Sequence, residues 1–139
     1  MSKIAVYYVR KNNDEQRTKR DLKVIDEWCR RNGYDYKLYI DNVEHRKDIH
    51  NRKSLDKLKE KISEGIYDTI ALMNLSNISR DIFFNARFIK YAYDNKCKVR
   101  CLDGTNPYVL VNFYIRLTNK IDEVNKKEEG KIYEWRKRN

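Results

Sequence analysis

Six consecutive apolar residues, Ile4 to Val9, are followed by an abrupt polar stretch from Arg10 to Gln16. An unbroken apolar run of that length fits a strand buried on both faces of a parallel sheet. Leu22, Ile25, Trp28 and Cys29 then recur at helical spacing over 17–32, and Gly33 supplies a stop. A second strand is expected over 34–41, ending at Asp41, and a polar connection with neither Gly nor Pro over 42–53. A short helix over 54–64 turns Leu55, Leu58 and Ile62 inward, with Ser54 as N-cap and Gly65 as stop. The third strand is expected over 67–75, followed by a polar loop, Ser76 to Ser79. A helix over 80–95 carries Ile82, Ala86, Ile89 and Tyr93 on one face, and Phe84, Phe88 and Tyr91 on another. The fourth strand is expected over 98–103.

Asn106 and Pro107 then form an N-cap and first-position pair for a last helix running to about 128 or beyond. Leu110, Tyr114, Leu117, Ile121 and Val124 are spaced by 4, 3, 4 and 3, the pattern of a helix–helix seam, and Phe113 widens the stripe. The stripe either packs back on the sheet or forms a dimer interface. The second is favoured, because three other helices already cover the sheet. Gly130 is expected to interrupt this helix. Strands alternating with helices give a parallel sheet with right-handed crossovers. The expected fold is a three-layer α/β domain over 1–105 with about four mainly parallel strands. Residues 106–139 add a long oligomerisation helix and a basic tail.

The 139 residues suffice for one domain with a sizeable core, and 40% hydrophobic against 37% charged content favours a folded, soluble chain. No apolar run approaches a membrane span and no signal-peptide pattern opens the sequence, so a cytoplasmic location is expected. Cys29, Cys97 and Cys101 are odd in number and lack metal-type spacing. They read as reduced thiols, and a site built from Cys97, Cys101, His45 and His50 is disfavoured. No metal and no cofactor is expected. The net charge of +10 favours a polyanionic partner, chiefly nucleic acid. The basic tail, Lys131, Arg136, Lys137 and Arg138, lies beside Tyr133 and Trp135 and suits phosphate contacts with base stacking.

Tyr8, Arg10 and the trio Asp14, Glu15 and Gln16 resemble the opening of the catalytic domain of serine recombinases, the resolvase/invertase family. The resemblance extends over roughly 3–135. It implies a fold of the kind described above and a site in which a serine attacks a DNA phosphodiester while arginines stabilise the developing charge. Arg10, Arg52 and Arg80 match arginines of that site, and Asp41 matches the acidic end of the second strand. The departures are equally specific. Asn12 stands where the family has its nucleophilic serine. Leu75, Ser76, Asn77 and Ile78 stand where it has Leu-Asp-Arg-Leu, so an acid and an arginine are absent. Asp21 replaces a usual glutamine, and Glu44 and His45 replace Ser-Gly. Ser76 and Ser79 have no candidate base beside them in the sequence.

The resemblance with these departures implies a family member without its nucleophile, binding DNA or a related recombinase subunit in an accessory or regulatory role. On this reading, activity would return only with Asn12→Ser, Ser76→Asp and Asn77→Arg combined. The alternative is a divergent active recombinase that cleaves DNA through a phosphoserine. A pure protein-interaction module is a third reading. A phosphoacceptor receiver domain is disfavoured, since Val9-Arg10 and Asn74-Leu75 stand where that fold needs acidic residues. Nucleotide binding is disfavoured because no glycine-rich phosphate loop is present.

Overall fold

The computed structural model describes residues 2–11, 14–43 and 52–138, with side chains described for 3–11, 14–43 and 52–127. The elements follow in the order β1 (Ser2–Lys11), α1 (Glu15–Arg31), β2 (Tyr34–Val43), α2 (Lys53–Ser63), β3 (Thr69–Leu72), α3 (Leu75–Ile78), α4 (Ile82–Asp94), β4 (Lys98–Cys101) and α5 (Pro107–Arg138). All three strand pairings are parallel and the sheet order is β2-β1-β3-β4. As the sequence predicts, this is an α/β domain with four parallel strands, flanking helices and a long final helix.

The order dictates the layers. Right-handed crossovers put the helix of a leftward step on one face and those of rightward steps on the other. The step from β1 to β2 runs opposite to those from β2 to β3 and from β3 to β4. Accordingly Ile4, Val6, Tyr8 and Ala71 pack with Ile25 and Cys29 of α1. On the other face Ala5, Tyr7, Val9, Ile70 and Leu72 pack with Leu55, Leu58 and Ile62 of α2 and with Phe88, Ile89 and Ala92 of α4. Every residue from Ile4 to Val9 is buried, as a central strand covered on both faces requires.

Several boundaries differ from the sequence reading. The third strand is short, and Leu75–Ile78 forms a helical turn rather than the end of a strand and a loop. Asn74 causes this: its side-chain oxygen accepts from the Asn77 backbone N–H at 2.7 Å, an alternative to strand pairing. The fourth strand likewise ends at Cys101. Helix α4 starts at Ile82, where Asp81 accepts from the N–H groups of Phe83 and Phe84. Its inner face is Asn85, Ala86, Phe88, Ile89 and Ala92, so Ile82 and Tyr93 are exposed. Helix α2 is not capped by Ser54, whose hydroxyl donates to the Ile40 carbonyl. The cap comes from Asp41, described below. Helix α5 continues through Gly130 to Arg138. Its start matches expectation, with Asn106 accepting from Tyr108 N–H at 3.0 Å.

The first turns of α5 dock on the domain through Tyr108, Leu110 and Val111, and Tyr114 meets the Phe83 ring at 6.0 Å. Farther along the seam, Leu117 is half-buried, while Ile121 and Val124 are 51% and 49% exposed. Among the described residues, no helix is long and apolar enough to cross a membrane. No group of three or more metal-ligating side chains occurs among them either, and His45 and His50 lie outside them.

All three thiols are free. Burial, with Asp26, Asp68 and Asp103 adding in turn, pushes Cys29, Cys97 and Cys101 up from an ordinary 9.0 to about 11. Below pH 9 folded and unfolded chains both keep these protons. Above it the unfolded chain releases protons that the folded chain retains, so stability falls as pH rises toward 11. The urea midpoint is therefore expected to be insensitive to thiol ionisation up to about pH 9 and to drop between 9 and 11. Substituting the cysteines by alanine or serine should flatten part of that drop. A thiol reagent at neutral pH should leave Cys29 and Cys97 unmodified until the chain is unfolded.

Candidate functional site

In an open α/β sheet, ligands bind outside the carboxyl ends of the strands, where the strand order reverses. Here that point lies between β1 and β3, and three side-chain systems converge there.

The first is built on Asp41 at the end of β2. One of its oxygens accepts from Ser54 N–H at 2.8 Å; the other accepts from Leu55 N–H at 3.0 Å and from the Tyr7 hydroxyl at 2.8 Å. A β2 carboxylate thus caps the amino end of α2, where the unpaired N–H groups and the helix dipole favour a negative charge. Arg52 precedes that helix and is only 3% exposed. It donates to the Ile78 carbonyl and, at 3.4 Å, to the Tyr7 hydroxyl, and its guanidinium lies 5.2 Å over the Phe84 ring. Tyr7 is therefore the relay between Arg52 and Asp41. Burial raises its pKa well above the ordinary 10.0, with Arg52 acting against that shift and the hydrogen bond to Asp41 reinforcing it. That shift favours the protonated phenol, the form that donates to Asp41.

The second system is Asn77. It is 4% exposed, and its amide spans the β1 backbone at one residue. Its Oδ1 accepts from Val9 N–H at 3.0 Å and its Nδ2 donates to the Val9 carbonyl at 3.1 Å. A side-chain amide completes the pairing of β1 beyond the end of β3, and so fixes α3 across the sheet's rim. Asn85 braces the same turn from behind, donating to the carbonyls of Leu75 and Ser79 at 3.0 and 2.9 Å. Ser79 is 1% exposed and its hydroxyl oxygen accepts from Asp81 N–H. The exposed Ser76 donates to Asn74.

The third system is Arg10. Its side chain is 37% exposed and its Nη2 lies 3.3 Å from Glu15 at the start of α1. Its Nε is shielded from solvent and meets no acceptor among the described residues. Strand alternation directs Arg10 to the α1 face with Tyr8, whereas Tyr7 and Arg52 belong to the other face. Arg80 stands exposed in the turn before α4. The three arginines thus occupy one rim but are held by different elements, and Arg52 is turned inward. Asn12 lies outside the described residues, as do the side chains of Lys131, Arg136, Lys137 and Arg138 on the last turns of α5. The Asn77 bridge joins positions 68 apart in sequence, which no local pattern could reveal.

The family model for the resolvase N-terminal domain matches residues 5–134. The chain belongs to the resolvase family. Solved structures similar to this resolvase domain include a resolvase family site-specific recombinase from Streptococcus pneumoniae, at 16% identity and TM-score 0.68, with 98% of this chain and 99% of that one covered. The N-terminal catalytic domain of TP901-1 integrase is similar at 16% identity and TM-score 0.65, covering 91% and 98%. A serine recombinase from Sulfolobus solfataricus is similar at 15% identity and TM-score 0.54, covering 90% and 88%. At these identities the structural likeness speaks for the fold. Among curated proteins, no sequence relative matches.

Removing the Asn77 amide leaves a buried N–H and a buried carbonyl at Val9 without partners, at about 1–3 kcal/mol each. Asn77→Ala is expected to destabilise the domain by about 2–4 kcal/mol, read as a lower urea midpoint. Asn77→Arg should cost at least as much, because it loses both bonds and places a charge at a buried position. In the triple change Asn12→Ser, Ser76→Asp and Asn77→Arg, the arginine would displace this pairing. An arginine at 77 needs the end of β1 to be re-paired first. A midpoint unchanged by Asn77→Ala would remove the bridge from any structural role.

Proposed function

We propose that this resolvase domain binds DNA through its phosphate backbone without cleaving it, as an accessory or regulatory partner of a recombinase. The observation that carries this reading is the engagement of Asn77. At the position where the family resemblance implies a phosphate-binding arginine, the side chain has both polar atoms committed to the Val9 backbone. It is buried and offers an incoming phosphate no cation. Asn12 supports the same conclusion chemically, since an amide has no ionisable oxygen with which to attack phosphorus. Neither local serine replaces it. Ser79 is buried, and Ser76 meets an amide oxygen, which is no base.

What the rim keeps is positive charge. Arg80 is exposed, and Arg10 retains a shielded N–H without an acceptor among the described residues. Together with Lys131, Arg136, Lys137 and Arg138 they form the proposed backbone contacts. Arg52 joins them only if it leaves the Ile78 carbonyl and Tyr7. Contacts of this kind carry little sequence information. Residues 1–105 form the proposed α/β body, and 106–139 the oligomerisation helix. The seam of Leu110, Tyr114, Leu117, Ile121 and Val124 is the proposed interface with a second copy or a related recombinase subunit. The half-exposed state of Ile121 and Val124 supports it.

Incubation with supercoiled DNA, followed by denaturing gels, is expected to show no protein–DNA adduct. An adduct would establish the alternative of an active recombinase, and mapping the attached residue would identify its nucleophile. Duplex binding should weaken steeply with salt, because it rests on counterion release, and should fall with Arg10→Gln and Arg80→Gln combined. Retention that is insensitive to salt would contradict backbone binding. In light scattering the chain is expected to be a dimer and Leu117→Glu a monomer. A wild-type monomer would remove the seam from the account.

A further inference from the structure

Helix α1 presents an outward face that the rim site does not use. At 100° per residue, Lys19, Arg20, Lys23, Arg30 and Arg31 fall within one arc of about 120°, opposite Thr18, Leu22, Ile25 and Cys29, which turn toward the core. Glu27 is the only acid on that arc. The helix's other carboxylates beyond its first turn, Asp21 and Asp26, are drawn toward the sheet. The Tyr8 hydroxyl donates to Asp21 at 2.7 Å and the Tyr36 hydroxyl donates to Asp26 at 2.9 Å. Asp26 also pairs with Arg30 at 3.0 Å. Two tyrosines of the sheet thus hold the acids inward and leave Lys19, Arg20, Lys23 and Arg31 exposed, with no ion pair among the described residues. Arg100 of β4 extends the patch: its guanidinium lies 5.2 Å over Trp28, one turn before Arg31, and donates to the Tyr34 hydroxyl at 2.8 Å.

We infer that this α1 face is a second binding surface for duplex nucleic acid, on the sheet face opposite α2 and α4 and separate from the rim. From Lys19 to Arg31 the ridge is about 18 Å long, with cations along both sides of the arc. It therefore reaches phosphates on both strands across a major groove about 12 Å wide. An anionic membrane fits less well. A helix lying in a lipid interface needs a free apolar face, and that of α1 is spent on the sheet. The inference goes beyond the rim reading and shares with it only the choice of DNA as ligand.

The test measures binding of the full chain to a short fluorescent duplex over a series of salt concentrations. Each lost phosphate contact lowers the slope of log affinity against log salt by about 0.9. A variant combining Lys19→Gln, Arg20→Gln and Lys23→Gln is expected to lose about 2 to 3 from that slope and at least tenfold in affinity at low salt. The charge-preserving pair Lys19→Arg and Lys23→Arg should keep the wild-type slope. A control combining Lys57→Gln, Lys61→Gln and Lys90→Gln removes equal charge from α2 and α4 and should change the slope little. Equal losses in the control and in the α1 variant would reduce the effect to net charge and overturn the inference. So would an unchanged slope in the α1 variant, or anionic vesicles retaining the chain where DNA does not. The Arg10 and Arg80 variant separates the two surfaces. If it weakens binding and the α1 variant does not, the rim reading stands and this one falls. If only the α1 variant weakens binding, the reverse holds.

Discussion

One buried carboxylate organises the rim of this domain. Asp41 receives two backbone N–H groups of α2 and the phenol of Tyr7, so three donors from two elements meet one charge. Without those donors a charge in that position would be expensive, and without the charge the amino end of α2 would be uncapped. The arrangement ties β2 to α2 and, through Tyr7, to the central strand. Arg52 then completes a line of polar contacts from α2 across Tyr7 to the Ile78 carbonyl and so to α3.

The general fold was legible because its signals are local. Ile4 to Val9 is an apolar run that only a doubly covered strand accommodates. Leu22, Ile25 and Cys29 repeat at the helical period, and Asn106-Pro107 marks a helix start. The rim was less legible because its contacts are remote. Leu75 resembles the end of a strand and Ser76 to Ser79 a loop until the Asn74 cap is known, and nothing near Asn77 in sequence points to Val9. Asp41 was read as a strand-end acid matching a family position. That it caps α2, in place of Ser54, depends on an angle of approach that composition does not encode. The faces of α4 are only partly legible in the sequence for a related reason. Ile82 and Tyr93 have the right spacing, but the inner arc is set by where α5 and the sheet lie.

The resemblance to serine recombinases and the geometry bear on different questions. The family match and the similar solved structures bear on the overall fold. The side chains at the rim follow a local logic. A residue with no cationic group at position 77 let the end of β1 bond directly to α3, and Asn85 and Ser79 complete the same polar cluster. A turn closed in this way is stabilised by the hydrogen bonds that a ligand-binding turn would leave open. On that view, the closed turn at the rim and the proposed absence of cleavage have one origin.

The strand order has a further consequence during vectorial synthesis. β1 is made first yet is an inner strand, and its two edges are satisfied at different times. Its pairing with β2 can be complete once Val43 has emerged, but its pairing with β3 must wait for residues up to Leu72. Between those moments the nascent chain carries Ile4 to Val9 with one edge unpaired and one face lacking α4 and, until Ser63 has emerged, α2 as well, a template for pairing with another copy. The chain made in that interval, 44–72, carries seven lysines and arginines against six aspartates and glutamates, so charge repulsion between nascent chains gives that pairing little opposition.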